Sequence, residues 1–166
     1  MTKAVWGGVL TAAAMALCST PAFAQATATG SVTVTANVSA KAKLTLGAAS
    51  VTFNDADPDV TPLLTATGAL SVDVKARTAA ASTVTLTVQS GGDLDNGSAT
   101  IPINNLTWTA TGTNFVAGTM ATSAVTLASY SGGGNYTGQQ TYRLVNSWNY
   151  ATGTYTATIT YTLTAP

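Results

Sequence analysis

The chain has 166 residues, a formal net charge of zero and only 7% charged residues, so no charge imbalance attracts it to nucleic acid or to anionic lipid. It has no histidine and one cysteine, and its six acidic residues are all aspartates. The usual zinc ligand sets, the triads with an imidazole base and the glutamate pairs of acid–base catalysis are therefore excluded. We predict a protein that is not an enzyme and uses no organic cofactor.

The first 24 residues have the pattern of a secretory signal peptide. Lys3 supplies a positive charge, residues 4–17 form an apolar run too short to span a bilayer comfortably, and Ala22-Phe23-Ala24 is a small-x-small cleavage site. We expect a mature chain of residues 25–166 without a transmembrane segment, secreted or held at the cell surface, with the periplasm as another possible location. Because that chain has no cysteine, it must fold without an internal disulfide.

Beyond the leader, apolar and polar residues alternate with a period of two, which is typical of strands with one buried face. The alternation predicts strands at 31–46 (one long bent strand or two short ones), 51–53, 70–77, 82–89, 101–110, 124–128, 141–150 and 154–164. No helical period interrupts them. The pattern predicts a single all-β domain over residues 25–166, an antiparallel Ig-like β-sandwich of about eight or nine strands.

Three local signals refine this prediction. Asn96-Gly97 tolerates positive φ and indicates a hairpin turn. The apolar positions change phase between Ile103 and Leu106, which favours a β-bulge. In residues 154–164 every even position is threonine and every odd one is apolar, so we expect a long last strand that runs the full height of the sandwich. The predicted core includes Tyr155, Ile159, Tyr161, Leu163, Trp108 and Trp148.

The aspartates provide the candidate metal site. Asp55, Asp57 and Asp59 alternate along one predicted loop, and Asp93 and Asp95 lie in another. Oxygen ligands at alternate positions suit a hard cation, so Asp55, Asp57 and Asp59 are a candidate calcium loop. Aspartates in β-turns also bind their own backbone as Asx-turns, and this second interpretation is favoured.

The first mature segment, residues 26–38, allows two kinds of pairing. Val32, Val34 and Val38 share one face of an alternating strand. The segment can be the first strand of its own domain, which is slightly favoured, or it can leave that domain and complete the sheet of a neighbouring copy. In the second case the protein is a subunit that polymerises head to tail.

Residues 155–166, YTATITYTLTAP, resemble the distal motif of the WxL surface domain, with Tyr161 at the position of that family's tryptophan. Trp108-Thr109-Ala110 is similar to its proximal motif. This resemblance implies a secreted domain that associates non-covalently with the cell surface, commonly with peptidoglycan.

More loosely, the chain resembles bacterial pilin and spore-coat subunits in its signal peptide, its alternating residues 32–38, Gly153 and its alternating last strand. We therefore expect a secreted cell-surface β-sandwich that acts as a structural or adhesive component or as a subunit of an extracellular assembly. The alternatives are a WxL-like peptidoglycan-binding module and a calcium-assisted glycan-binding module. The expected partners are other copies of the chain, or an envelope polymer or glycan.

Overall fold

The computed structural model describes residues 26–166, so the predicted signal peptide lies outside the described residues. These residues belong to two units, a segment that ends at Ala36 and a compact unit from Asn37 to Pro166. The compact unit consists of antiparallel strands and one short 3₁₀ helix, which confirms the predicted all-β antiparallel sandwich. Within residues 26–166, no helix has the length and apolar character needed to cross a membrane.

Eleven strands follow one another along the compact unit. They are β1 (Lys41–Leu46), β2 (Leu63–Thr65), β3 (Leu70–Arg77), β4 (Thr83–Ser90), β5 (Leu94–Asp95), β6 (Thr100–Ile101), β7 (Leu106–Thr111), β8 (Gly118–Thr119), β9 (Val125–Ser131), β10 (Gly134–Val145) and β11 (Ile159–Thr164). The first sheet has the order β1-β3-β10-β7-β8, with β2 beside the end of β10, and the second has the order β11-β4-β9. Strands β5 and β6 form a separate hairpin around the predicted Asn96-Gly97 turn.

The core is built from alternate residues of the central strands. Val72 and Val74 of β3 and Leu86 and Val88 of β4 are at most 1% exposed. Trp108 of β7 is also buried, as predicted, and its indole Nε1 donates a hydrogen bond to the Val116 carbonyl at 2.9 Å. Such burial of large apolar side chains is the main source of stability in a domain that has no disulfide.

Strand pairing defines the two ends of the sandwich. Lys41 pairs with Arg77 near the start of β10, whereas Val145, the last residue of β10, pairs with Leu63. We call these the Lys41 end and the Val145 end. Strand β11 runs from the Val145 end to the Lys41 end, because the Thr78 hydroxyl, just beyond β3, donates to the carbonyl of Pro166.

Two predicted strands near the beginning of the chain differ from the structure. Residues 26–40 form no strand, so the long or double strand predicted over 31–46 is reduced to β1. The predicted strand at 51–53 is also absent, although Val51 and Phe53 pack against the core. Alternation brings these side chains inward, but a strand also needs a partner along its backbone, and here only the Thr67 amide binds Thr52.

The change of phase after Ile103 comes from a 3₁₀ turn and not from the predicted β-bulge. Residues Ile103–Asn105 form the turn, and the Asn105 amide donates to the Pro102 carbonyl at 3.0 Å. Pro102 has no amide hydrogen to donate to a ladder, which favours an interruption at this point. The predicted strand 101–110 is therefore divided between β6 and β7.

The last strand covers Ile159–Thr164, so it is shorter than the predicted 154–164. Only β11 pairs with β4, and upstream of it a single bridge joins Thr156 to Asp95. The ladder stops because β4 ends at Ser90 and the chain turns into the β5–β6 hairpin. The prediction of Trp148 in the core is also wrong, since 68% of its surface is exposed.

Candidate functional site

The two sides of the sandwich are joined differently. On one side, the Val116 amide donates to the Leu127 carbonyl at 2.9 Å, and Phe115 forms a bridge with Ala128. On the other side, β1 and β11 are the end strands of their sheets, and no backbone hydrogen bond within residues 26–166 joins them. We call the second one the open side. Strands β1 and β11 approach each other along part of this side, but within the described part of the chain each has one edge without a partner in a ladder, and such an edge can pair with a further strand.

Apolar side chains along the open side are incompletely buried. The inward residues of its two strands are each half-buried: Leu44 and Leu46 on β1, and Ile159, Tyr161 and Leu163 on β11. The corresponding residues of the neighbouring strands, Val72 on β3 and Leu86 on β4, are 0% exposed. The core is therefore fully buried at its centre and less completely covered along this side, where contact with a further strand would bury the remaining apolar surface.

A cluster of polar side chains fastens β11 to the opposite sheet. The Tyr161 hydroxyl donates to Gln140 Oε1 at 2.5 Å and lies 2.7 Å from the Tyr142 hydroxyl. Burial, together with the neighbouring Tyr142, raises the pKa of Tyr161, so its hydroxyl stays protonated at neutral pH. Gln140 is fully buried and its Nε2 has no partner within the described residues. This cluster positions β11 and provides no group that could act as a base near pH 7.

The N-terminal segment exposes its alternating valines. Val32, Val34 and Val38 are 88%, 87% and 67% exposed, and residues 26–40 are exposed throughout. Their alternation is that of a strand, yet no ladder includes them. The base of the segment is held where Arg77 Nε donates to the Ser39 carbonyl at 2.8 Å. In the sequence, this unpaired alternating segment directly precedes β1.

The candidate calcium loop lies at the Val145 end. The Asp57 carboxylate accepts from the backbone amide of Asp59 at 2.9 Å, and the Asp59 carboxylate accepts from the indole Nε1 of Trp148 at 3.1 Å. Asp55, Asp57 and Asp59 are all exposed. The contact at Asp57 has the geometry of an Asx-turn, in agreement with the favoured interpretation.

The second acidic loop behaves similarly. Asp95 accepts from the amide of Gly97 at 2.7 Å, and Asp93 accepts from the amide of Ile103 at 2.8 Å. Among residues 26–166, the structure brings no three potential ligands of the His, Cys, Asp or Glu type together around a point that could hold a metal. Calcium binding by Asp55, Asp57 and Asp59 stays a prediction, and a calcium-dependent rise in melting temperature that is lost in Asp57→Ala would support it.

The sequence analysis did not predict the positions of two residues, the buried Gln140 and the exposed Trp148. Gln140 occupies an inward position between Gly138 and Tyr142, and a polar residue in an inward register was the available signal. Trp148 follows Asn146 and Ser147, and both residue types favour turns. They were the available signal that the strand ends before the tryptophan.

Compared with known protein families and with curated proteins, the chain matches no family model and no curated sequence.

Proposed function

We propose that this protein is an exported, non-enzymatic structural subunit that assembles head to tail at the cell surface. In this assembly each copy inserts residues 31–38 along the open side of the next copy. The observation that carries the proposal is the presence in one chain of both parts: an exposed, unpaired segment with alternating valines, and an incompletely covered core bounded by two free strand edges. Strand addition to a sheet edge is a recurrent mode of recognition.

The dimensions of the two parts agree. Strand β11 has six residues and spans about 20 Å, and residues 32–38 span about 23 Å when extended. Val32, Val34 and Val38 would enter the space beside the half-buried residues of β11, and Ala36 would add a small side chain between them. The intervening Thr33, Thr35 and Asn37 would remain in water, since successive side chains of a strand point to opposite faces.

The composition supports an assembled state. With 7% charged residues and no net charge, little electrostatic repulsion opposes contact between copies. An exposed strand edge beside apolar surface is a hazard in a monomer that must stay soluble. In a subunit of an ordered assembly the same edge has a defined partner.

The mass distribution of the exported chain, compared with that of a variant lacking residues 26–38, tests the proposal. Among residues 26–166, every buried apolar residue lies between Ala66 and Leu144, so the variant retains this buried core. We expect concentration-dependent polymers from the complete chain and folded monomers from the variant. Polymers of equal size from both, or a folded monomer from both, would show that the segment is not the connecting element.

A further inference from the structure

The positively charged residues of the compact unit are concentrated near its Lys41 end. Lys41 and Lys43 of β1 pair directly with Arg77 and Lys75 of β3, and all four side chains are exposed. Like charges in directly opposed positions of a ladder destabilise the pair. The patch formed by these four residues therefore favours an acidic partner.

The acidic residues are concentrated near the Val145 end. Five of the six aspartates lie there, in exposed positions of the two acidic loops: Asp55, Asp57, Asp59, Asp93 and Asp95. The first loop is joined to the end of β10, because Asn146 Nδ2 donates to the carbonyls of Ala56 and Thr61. The second loop follows Ser90, which pairs with the first residue of β11. The two ends thus carry opposite charge, although the chain as a whole is neutral.

An apolar patch lies among these aspartates. Four of the exposed large apolar residues are gathered around the end of β10: Val60, Leu63, Val145 and Trp148. The hydrogen bond from the indole of Trp148 to Asp59 favours one orientation of the ring, so less conformational entropy is lost when another surface covers it. Aromatic residues surrounded by polar groups are typical centres of protein interfaces.

The direction of the inserted segment determines which end of the inserting copy lies against which end of the receiving copy. Strand β11 runs from the Val145 end to the Lys41 end, so a segment that pairs with it in the antiparallel sense finishes at the Val145 end. Only Ser39 and Ala40 separate Val38 from Lys41, which limits the gap to about 10 Å. The Lys41 end of the inserting copy would then lie directly against the Val145 end of the receiving copy.

We infer that the Val145 end, with Trp148 and the aspartates around it, binds the basic Lys41 end of the copy that inserts its segment there. This inference rests on the proposed head-to-tail assembly and adds to it a second contact between successive subunits. The charges match in sign, and the contact covers an apolar patch that is exposed in the single chain. It also selects the antiparallel direction, because the parallel one would bring two Lys41 ends together.

Charge reversal on each end provides the main test. Replacing Lys41, Lys43, Lys75 and Arg77 with glutamate gives the Lys41 end four negative charges, and Asp55→Lys/Asp57→Lys/Asp59→Lys leaves the acidic loops with three lysines and two aspartates. Each of these two variants is expected to raise the concentration needed for polymerisation at least about tenfold. A chain with all seven substitutions again has ends of opposite charge and is expected to polymerise at a lower concentration than either variant alone. Recovery of this kind cannot come from damaged folding. A combined variant no better than the other two would overturn the inference.

A second measurement separates this inference from the proposal on which it rests. A full chain carrying Val32→Asp/Val34→Asp should be unable to insert its own segment but should still receive the segment of another copy. A labelled peptide of residues 29–40 should therefore bind to it. Failure of the peptide to bind would refute insertion itself. If the peptide binds and Trp148→Ala leaves both this binding and the polymerisation of the complete chain unchanged, the end contact is refuted. Loss of sedimentation with purified peptidoglycan in a Trp148→Ala chain that still polymerises normally would assign the patch to a glycan and equally refute the contact.

Discussion

Replacing Val32 and Val34 together with alanine tests the assembly at the inserted segment and leaves the sandwich untouched. Each substitution removes two carbon atoms, and burial of a methylene-sized group contributes about 0.8 kcal/mol. Because both side chains are almost fully exposed in the single chain, nearly all of that contribution would be gained on insertion. The double variant should therefore lose about 3 kcal/mol of association free energy, which corresponds to roughly a hundredfold weaker polymerisation.

Sedimentation velocity over a dilution series measures this loss. Thr33→Ala/Thr35→Ala is the matched control, since these residues alternate with the valines and would face water. We expect the control to polymerise within about threefold of the original chain. Thermal unfolding of the monomer should be unchanged in both variants, because none of the four residues belongs to the core. Equal polymerisation by the two double variants would refute the reasoning that the valines are buried on insertion.

Three further predictions concern the sandwich. Trp108→Ala should lower the free energy of unfolding by about 3–5 kcal/mol in chemical denaturation, whereas Trp148→Ala should change it by less than about 1 kcal/mol, because only the first indole is buried. Tyr161→Phe should cost about 1–3 kcal/mol by removing the hydroxyl that donates to the buried Gln140, and Tyr161→Phe/Gln140→Leu should recover part of this loss. Burial raises the pKa of Tyr130 to about 12, above the value near 10 in an unfolded chain, so its contribution to stability is complete below pH 10 and is lost as the pH rises towards 12. Unfolding of Tyr130→Phe followed across this range should show a smaller decrease.

The sequence was sufficient for β3 and β4. There the alternation predicted the bounds to within a residue and also the buried faces, because every inward side chain meets the core. It was not sufficient for β10, which covers Gly134–Val145 and not the predicted 141–150, because Gly134, Gly138 and Gln140 give the inward face of its first half no apolar pattern. The same alternation in residues 31–38 gives no strand, since alternation describes the segment and a ladder requires a partner. A sequence pattern cannot specify whether that partner belongs to the same chain.

The candidate site was half predictable for a related reason. The segment proposed to insert was recognised from its valines. The open side depends on which strands end each sheet, and this follows from pairings such as Leu44 with Val74 and Leu163 with Leu86. Trp148 was misplaced because the alternation of Tyr142 and Leu144 was extended through Asn146. The side chain of Asn146 instead binds the backbone of a loop about ninety residues away, and the chain turns outward.

The placement of the basic residues has a consequence for proteolysis. Every lysine and arginine in residues 26–166 lies within a strand: Lys41 and Lys43 in β1, Lys75 and Arg77 in β3, and Arg143 in β10. Trypsin cleaves mobile, exposed backbone far faster than backbone held in a sheet, so the loops offer it no site and cleavage must await local opening. Strand β1 has one free edge and should open first. A cut after Lys43 would remove the N-terminal segment. In the proposed assembly, the shortened chain would still receive a neighbour's strand but could not supply its own. Limited digestion should therefore yield subunits that stop the growth of a polymer.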